Sequence, residues 1–302
     1  MQIVQESPEH HLLKYLDKIK QQPQGWVSIC SHFSSKLSHK KIMADPGKIA
    51  QLIASVQQDS SVLLEKARML FEPINDCVVY QFKDGDILVL ARPASPKEQE
   101  LIKSIHVKLQ EADKSVQCSY KALAGDMYNV QKMVDARLLS ARCMDAYMAV
   151  SEVNKCSTIG LRRKRREESV VLIVEDDQFT GSYAMNIVNK ETEAILVKNG
   201  EEAVISYIEH APDVVFLDIH LPGLSGLKTL DAIMHVDPDA YVIMLSVDTL
   251  KESILSAYDR GATGFLKKPF SKERLLFTVA KSPYISKPIM VSTAISEQTT
   301  VN

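Results

Sequence analysis

Glu175, Asp176 and Asp218 are carboxylates and Lys268 is an amine, and each follows or ends an apolar run in the C-terminal half of this 302-residue chain. Three carboxylates brought together without a cation repel one another, and protonation or a bound metal relieves that repulsion. Hard oxygen ligands with positions left open suit Mg2+, which keeps several waters and bridges to phosphate. A carboxylate beside Mg2+ and a lysine can attack a phosphoryl group, because the cations neutralise charge on its equatorial oxygens. Ser246, at the end of another apolar run, could then hydrogen-bond the attached phosphoryl group.

The elements that must position these residues follow from periodicity. Val170-Val171-Leu172-Ile173-Val174, Ala194-Ile195-Leu196-Val197, Val214-Val215-Phe216-Leu217, Tyr241-Val242-Ile243-Met244-Leu245 and Gly264-Phe265-Leu266 are short and continuous, as parallel strands buried on both faces are. Stretches near 179–190, 200–210, 225–235, 249–260 and 271–281 carry apolar residues at helical spacing. Five βα units predict an α/β fold with a doubly wound, five-stranded parallel sheet of about 110 to 130 residues. Ligands of such sheets bind at the carboxyl ends of the strands, near the switch in strand order. Glu175 and Asp176 after the first strand, Asp218 at the end of the third, Ser246 at the end of the fourth and Lys268 after the fifth would converge there.

Val174-Glu175-Asp176-Asp177, Leu217-Asp218-x-x-Leu221-Pro222-x-x-x-Gly226, Leu245-Ser246 and Lys267-Lys268-Pro269-Phe270 together resemble the receiver domain of bacterial two-component response regulators, a flavodoxin-like fold. The resemblance spans about residues 169–282. It implies that Asp218 is the phosphoacceptor, that Glu175 and Asp176 are Mg2+ carboxylates, and that His220 supplies a backbone carbonyl to the metal. It also implies that Lys268 contacts the phosphoryl group, with a cis bond before Pro269, and that Ser246 and Phe265 are the switch residues. The partner it implies is a histidine kinase or a histidine phosphotransfer protein, and the protein is a phosphoacceptor switch in place of a conventional enzyme. Three departures stand out: Glu175 for the commoner Asp, Val247 where a small residue is usual, and Phe265 without the hydroxyl of the frequent Tyr.

The first half reads as strand near 26–30, helix over 46–58, strands over 76–82 and 87–92 joined by Lys83-Asp84-Gly85-Asp86, helix over 96–110 and strand over 115–122. That β-α-β-β-α-β order predicts an α+β ferredoxin-like domain. Tyr80-Gln81-Phe82-Lys83-Asp84-Gly85-Asp86-Ile87 is faintly similar to the hairpin motif of diguanylate cyclases, but without its double glycine, which implies a degenerate, inactive copy. The two output readings are a protein-interaction or dimerisation module and a ligand-binding relative of a nucleotide cyclase, with DNA binding third. The expected organisation is an output or partner domain over 1–127, an amphipathic connecting helix over 128–156, a basic linker over 157–168, the receiver over 169–282 and a flexible tail over 283–302. The stripe Val130, Met133, Val134, Leu138, Ala141 and Met148 packs the connecting helix on its own domain or in a homodimer.

Composition sets the outer bounds. The chain is 45% hydrophobic and 25% charged, which excludes fibrous and wholly disordered classes and fits about two domains. No apolar run approaches the roughly 18 to 20 residues of a membrane span. The five cysteines are odd in number and scattered, so they suggest neither a disulfide framework nor a zinc motif and fit a reducing cytoplasm. The net charge of −2 divides into +2 for residues 1–161, +3 for 162–168 and −7 for 169–302. Charge as dense as Arg162-Arg163-Lys164-Arg165-Arg166 seldom packs in a core, which predicts an exposed spacer. Contact with the acidic receiver is a second reading, and nucleic acid a third that a near-neutral first half argues against.

Overall fold

β-branched runs and amphipathic stretches alternate along the chain, and most become the element that their period dictates. The computed structural model describes residues 1–21, 24–33, 36, 37, 42, 48–114, 116–123, 127–247, 251–285 and 289. The chain divides into two units, Met1–Met144 and Asp145–Asn302.

The first unit runs β1 (Gln2–Val4), α1 (Pro8–Gln21), β2 (Val27–His32), α2 (Ile49–Phe71), β3 (Cys77–Gln81), β4 (Ile87–Ala91), α3 (Pro96–Ala112) and β5 (Gln117–Ala122), followed by α4 (Met127–Val150), which continues past the unit boundary. Its sheet has the order β1-β3-β4-β2-β5. β2, β3, β4 and β5 pair antiparallel in the order that the β-α-β-β-α-β reading requires. The unit is therefore mixed α/β. β1 and α1 are additions: β1 is only three residues long, too short to show a period, and it pairs parallel to β3 at the sheet edge. Leu12, Leu16 and Ile19 of α1 cover Trp26, Tyr80 and Leu88. Gly85 turns the β3–β4 hairpin at φ +85°, and a Cβ there would meet Val56 at 2.7 Å.

The second unit continues with α5 (Val153–Ser157), α6 (Ile159–Arg165), β6 (Val170–Val174), α7 (Gln178–Val188), β7 (Glu193–Val197), α8 (Gly200–His210), β8 (Val214–Asp218), α9 (Gly226–Val236), β9 (Val242–Ser246), α10 (Lys251–Asp259), β10 (Gly264–Lys267) and α11 (Lys272–Ala280). Among the described residues its sheet is all parallel, in the order β10-β9-β8-β6-β7. Alternate side chains enter different layers, as a pleated strand requires. Leu172, Val174, Val215, Leu217 and Met244 pack with Ala203, Tyr207 and Ile233 on one face. Val171, Ile173, Phe216, Ile243 and Leu245 pack with Ala184, Val188 and Leu275 on the other. The chain reverses direction between β6 and β8, which makes that pair the switch point.

The expected exposed linker over 157–168 is corrected. Ile159 to Arg165 form α6, and Ile159 and Arg163 are buried. The reason lies in unsatisfied backbone acceptors: the last carbonyls of a helix have no partner within it. Arg162 donates to the carbonyls of Ile208 and Glu209, Arg166 to those of His210 and Ala211, and Arg163 to that of Pro212. Five consecutive carbonyls, three in the last turn of α8 and two just past it, are thus met by three guanidinium groups at the negative end of the helix dipole. Arg163 also pairs with Asp237 at 2.6 Å and Arg166 with Asp213 at 2.6 Å, and Tyr207 Oη donates to Asp237 at 2.7 Å.

The expected helix over 128–156 is interrupted, because α4 ends at Val150 and α5 starts at Val153. Val134 joins the first unit's core with Met133 and Leu138 beside it, whereas Met148 of the predicted stripe is exposed. The start of the expected tail is held: Ser282 Oγ donates to the Asp213 carbonyl, Tyr284 Oη to the Asp239 carbonyl, and Arg163 stacks over the Tyr284 ring at 4.3 Å. Residues 290–302 lie outside the described residues.

Removing one partner of a buried pair leaves the other charge uncompensated. Arg163→Ala is predicted to cost the second unit about 3 to 5 kcal/mol. Urea titration followed by far-UV circular dichroism should record that loss, while the fluorescence transition of Trp26, the only tryptophan, stays in place.

Candidate functional site

Strand register brings the acidic residues to one level. Val174 of β6 pairs with Leu217 of β8, so Glu175 and Asp218, each one residue further on, emerge side by side. Asp218 pairs in turn with Leu245 of β9, and Ser246 with Lys267 of β10. The Lys268 N–H donates to the Ser246 carbonyl at 2.8 Å, and the Lys268–Pro269 peptide is cis.

Lys268 Nζ lies 2.6 Å from Glu175 Oε2 and 3.0 Å from Asp218 Oδ2. Carboxylate oxygens of Glu175, Asp176 and Asp218 lie within 4.8 Å of one another. Glu175 is 1% exposed, and its Oε1 has no hydrogen-bond donor among the described residues. Burial pushes the Glu175 carboxyl above its ordinary range; Lys268 opposes the rise and the neighbouring Asp218 adds to it. One lysine thus faces three carboxylates, and a buried oxygen is left over. An all-oxygen donor set with an orphaned acceptor fits a hard divalent cation.

The surrounding loops are fixed by local chemistry. Asp177 caps α7: its Oδ1 accepts from Thr180 N at 2.8 Å and from Thr180 Oγ1 at 2.7 Å, and these bonds hold its carboxyl below the usual range. Gly226 starts α9 against β8, and a Cβ there would sit 2.0 Å from the Asp218 carbonyl oxygen. Buried Glu201 in the first turn of α8 accepts from Leu224 N at 3.1 Å and anchors the loop after Asp218. Glu201 was not among the sequence candidates. An acid in a first helical turn ordinarily reads as dipole compensation, so nothing marked it.

Glu175, Asp176, Asp218 and Lys268 meet, and Ser246 sits beside them, buried at the end of β9. Val247 is 66% exposed next to it. His220 has an exposed side chain in the loop after β8. Phe265 is half-buried against the hydrophobic layer that holds Leu217 and Met244, with its ring centroid 5.3 Å from that of Tyr258.

A family model described as the response regulator receiver domain matches residues 171–280. The chemotaxis protein CheY of Listeria monocytogenes is 39% identical over 114 residues, which are 37% of this chain and 96% of that protein. The chain belongs to the response regulator receiver family. CheY of Bacillus subtilis is 33% identical over 114 residues, 37% of this chain and 95% of its own. The solved receiver domain of NtrX from Brucella abortus is 32% identical and covers 37% of this chain and 96% of its own, with a TM-score of 0.36. The receiver of this two-component protein lies wholly in the second unit. Among the described residues no helix is long and apolar enough to cross a membrane.

Crowded charge in the receiver costs stability. Glu175→Gln removes one of three carboxylates and leaves Lys268 with Asp218. It is predicted to stabilise the metal-free protein by about 0.5 to 2 kcal/mol, measured as a raised unfolding midpoint in the presence of EDTA.

Proposed function

We propose that Asp218 accepts a phosphoryl group from a histidine kinase or a histidine phosphotransfer protein. The observation that carries this is the buried Asp218 carboxylate held 3.0 Å from Lys268 Nζ, at the switch point, beside Glu175 and Asp176. An Asp218 oxygen attacks the phosphorus of a phosphoimidazole. The new O–P bond forms as the P–N bond breaks, and the electron pair returns to the imidazole nitrogen, which takes a proton from solvent. Glu175, Asp176, Asp218 and the His220 backbone carbonyl would hold Mg2+, which neutralises charge on the phosphoryl oxygens.

Lys268 orients the Asp218 carboxylate and then pairs with the phosphoryl oxygens. Ser246 donates its hydroxyl to one of them. The modification adds about −1.5 to −2 charge, and Ser246 and Phe265 move together to accommodate it, so that two pre-existing conformations exchange population. Phe265 has no hydroxyl, so burial of its ring against the core drives the exchange. The exposed Val247 narrows the approach to the phosphorylated Asp218. The output passes to the first unit, which acts as a protein-interaction or dimerisation module.

The 302-residue chain is predicted to take up label from acetyl phosphate and to bind beryllofluoride only with Mg2+ present. Asp218→Asn should lose both, with its circular dichroism unchanged. Label that persists in Asp218→Asn would sink the assignment.

A further inference from the structure

Cys30 and His32 are two residues apart on β2, so their side chains leave the same face of the sheet. Ser31 pairs with Ile87, which brings Asp86, at the end of the β3–β4 turn, opposite His32. Cys30 Sγ lies 3.6 Å from His32 Nδ1, and Asp86 Oδ2 lies 3.4 Å from the same nitrogen. A ring nitrogen offers one in-plane proton or lone pair, which serves one directional bond well. Here a thiol and a carboxylate converge on it together.

A cation in front of Nδ1 would meet all three groups, whose ligand atoms lie within 4.8 Å of one another. Tetrahedral bonds of about 2.3 Å to sulfur and about 2.05 Å to nitrogen and oxygen place S and N about 3.6 Å apart, and N and O about 3.3 Å apart. The observed separations of 3.6 and 3.4 Å are those edges. The neighbours are arranged as outer-shell partners. His32 Nε2 lies 3.2 Å from Ser119 Oγ, on the residue paired across from Cys30. A bond there takes the Nε2 proton and leaves Nδ1 as the donor atom. Arg137 Nη1 reaches Asp86 Oδ2 at 2.5 Å and Asp84 Oδ2 at 3.2 Å and fixes the carboxylate.

Asp84 and Asp86 are almost completely buried, and Arg137 pairs with both. The His32 side chain is 35% exposed, which leaves a path for the ion.

We propose that Cys30, His32 and Asp86 form a binding site for a borderline-soft divalent cation of the Zn2+ class, taken up as the Cys30 thiol loses its proton to solvent. A mixed sulfur, nitrogen and oxygen set selects such an ion over Mg2+. The cysteine spacing gave no zinc motif, because strand pairing and a hairpin, not a local run, bring the ligands together.

The test uses the full chain, stripped with a chelator, supplied with excess Mg2+ for the receiver carboxylates and titrated with Co2+ as the spectroscopic probe. One equivalent should raise a thiolate-to-Co2+ charge-transfer band in the near ultraviolet, which added Zn2+ abolishes. Cys30→Ser should remove the band, and His32→Gln, at a partly exposed position, should weaken Co2+ binding at least tenfold. Ser119→Ala should weaken it by about 10-fold with the far-UV circular dichroism unchanged. Absence of the band in the unmodified protein, or a band of undiminished strength and affinity in both Cys30→Ser and His32→Gln, overturns the proposal.

Discussion

Repulsion among three carboxylates at the ends of neighbouring strands is the constraint around which the second unit is built. Their oxygens lie within 4.8 Å of one another, where like charges that are partly withdrawn from water oppose folding. Lys268 answers two of these charges directly, and the rest must be held by packing. The parallel strands supply that packing: their side chains fill two layers, so β6 and β8 cannot splay apart without opening both. Asp177, Glu201 and Gly226 then lock the loops that carry the charges. The cluster is crowded with charge but fixed in geometry.

Legibility in the sequence followed the range of each interaction. Buried parallel strands announce themselves as continuous apolar runs, so β6 to β10 were visible, and with them the positions of Glu175, Asp218, Ser246 and Lys268. The β-α-β-β-α-β order of the first unit was also readable, because Gly85 and its acidic neighbours punctuate the hairpin. β1 was not, since three residues cannot display a period. Phe265 could be named from its motif position, but its contact with Tyr258 depends on the packing of α10 against β10. The association of Cys30, His32 and Asp86 was hidden for a similar reason: strand register has no linear signature.

The arginine run is the instructive misreading. By charge alone, five basic residues in succession repel one another and belong in solvent. Their partners are mostly backbone carbonyls at the end of α8, which have no identity in the sequence, together with Asp213 and Asp237. A guanidinium is planar, carries several donors and sheds water more readily than an ammonium, so Arg166 can serve two of these carbonyls and a carboxylate at once, while Arg162 takes two carbonyls and Arg163 one carbonyl and a carboxylate. The asymmetry of charge along the chain is therefore partly internal wiring of one unit.

Asp213 and Val170 sit at the amino ends of β8 and β6, and Arg166 binds beside them. Strands of five residues are about 17 Å long, so α6 is fastened at one pole of the sheet and Asp218 lies at the other. The chain therefore enters this sheet at the pole away from Asp218, and a change in the loops around Asp218 would reach α6 only through the length of the strands. A change at the flank of β10 would not have to pass through α6 at all. The fold thus sets the arginine-capped anchor and the carboxylate cluster at opposite ends of one rigid sheet.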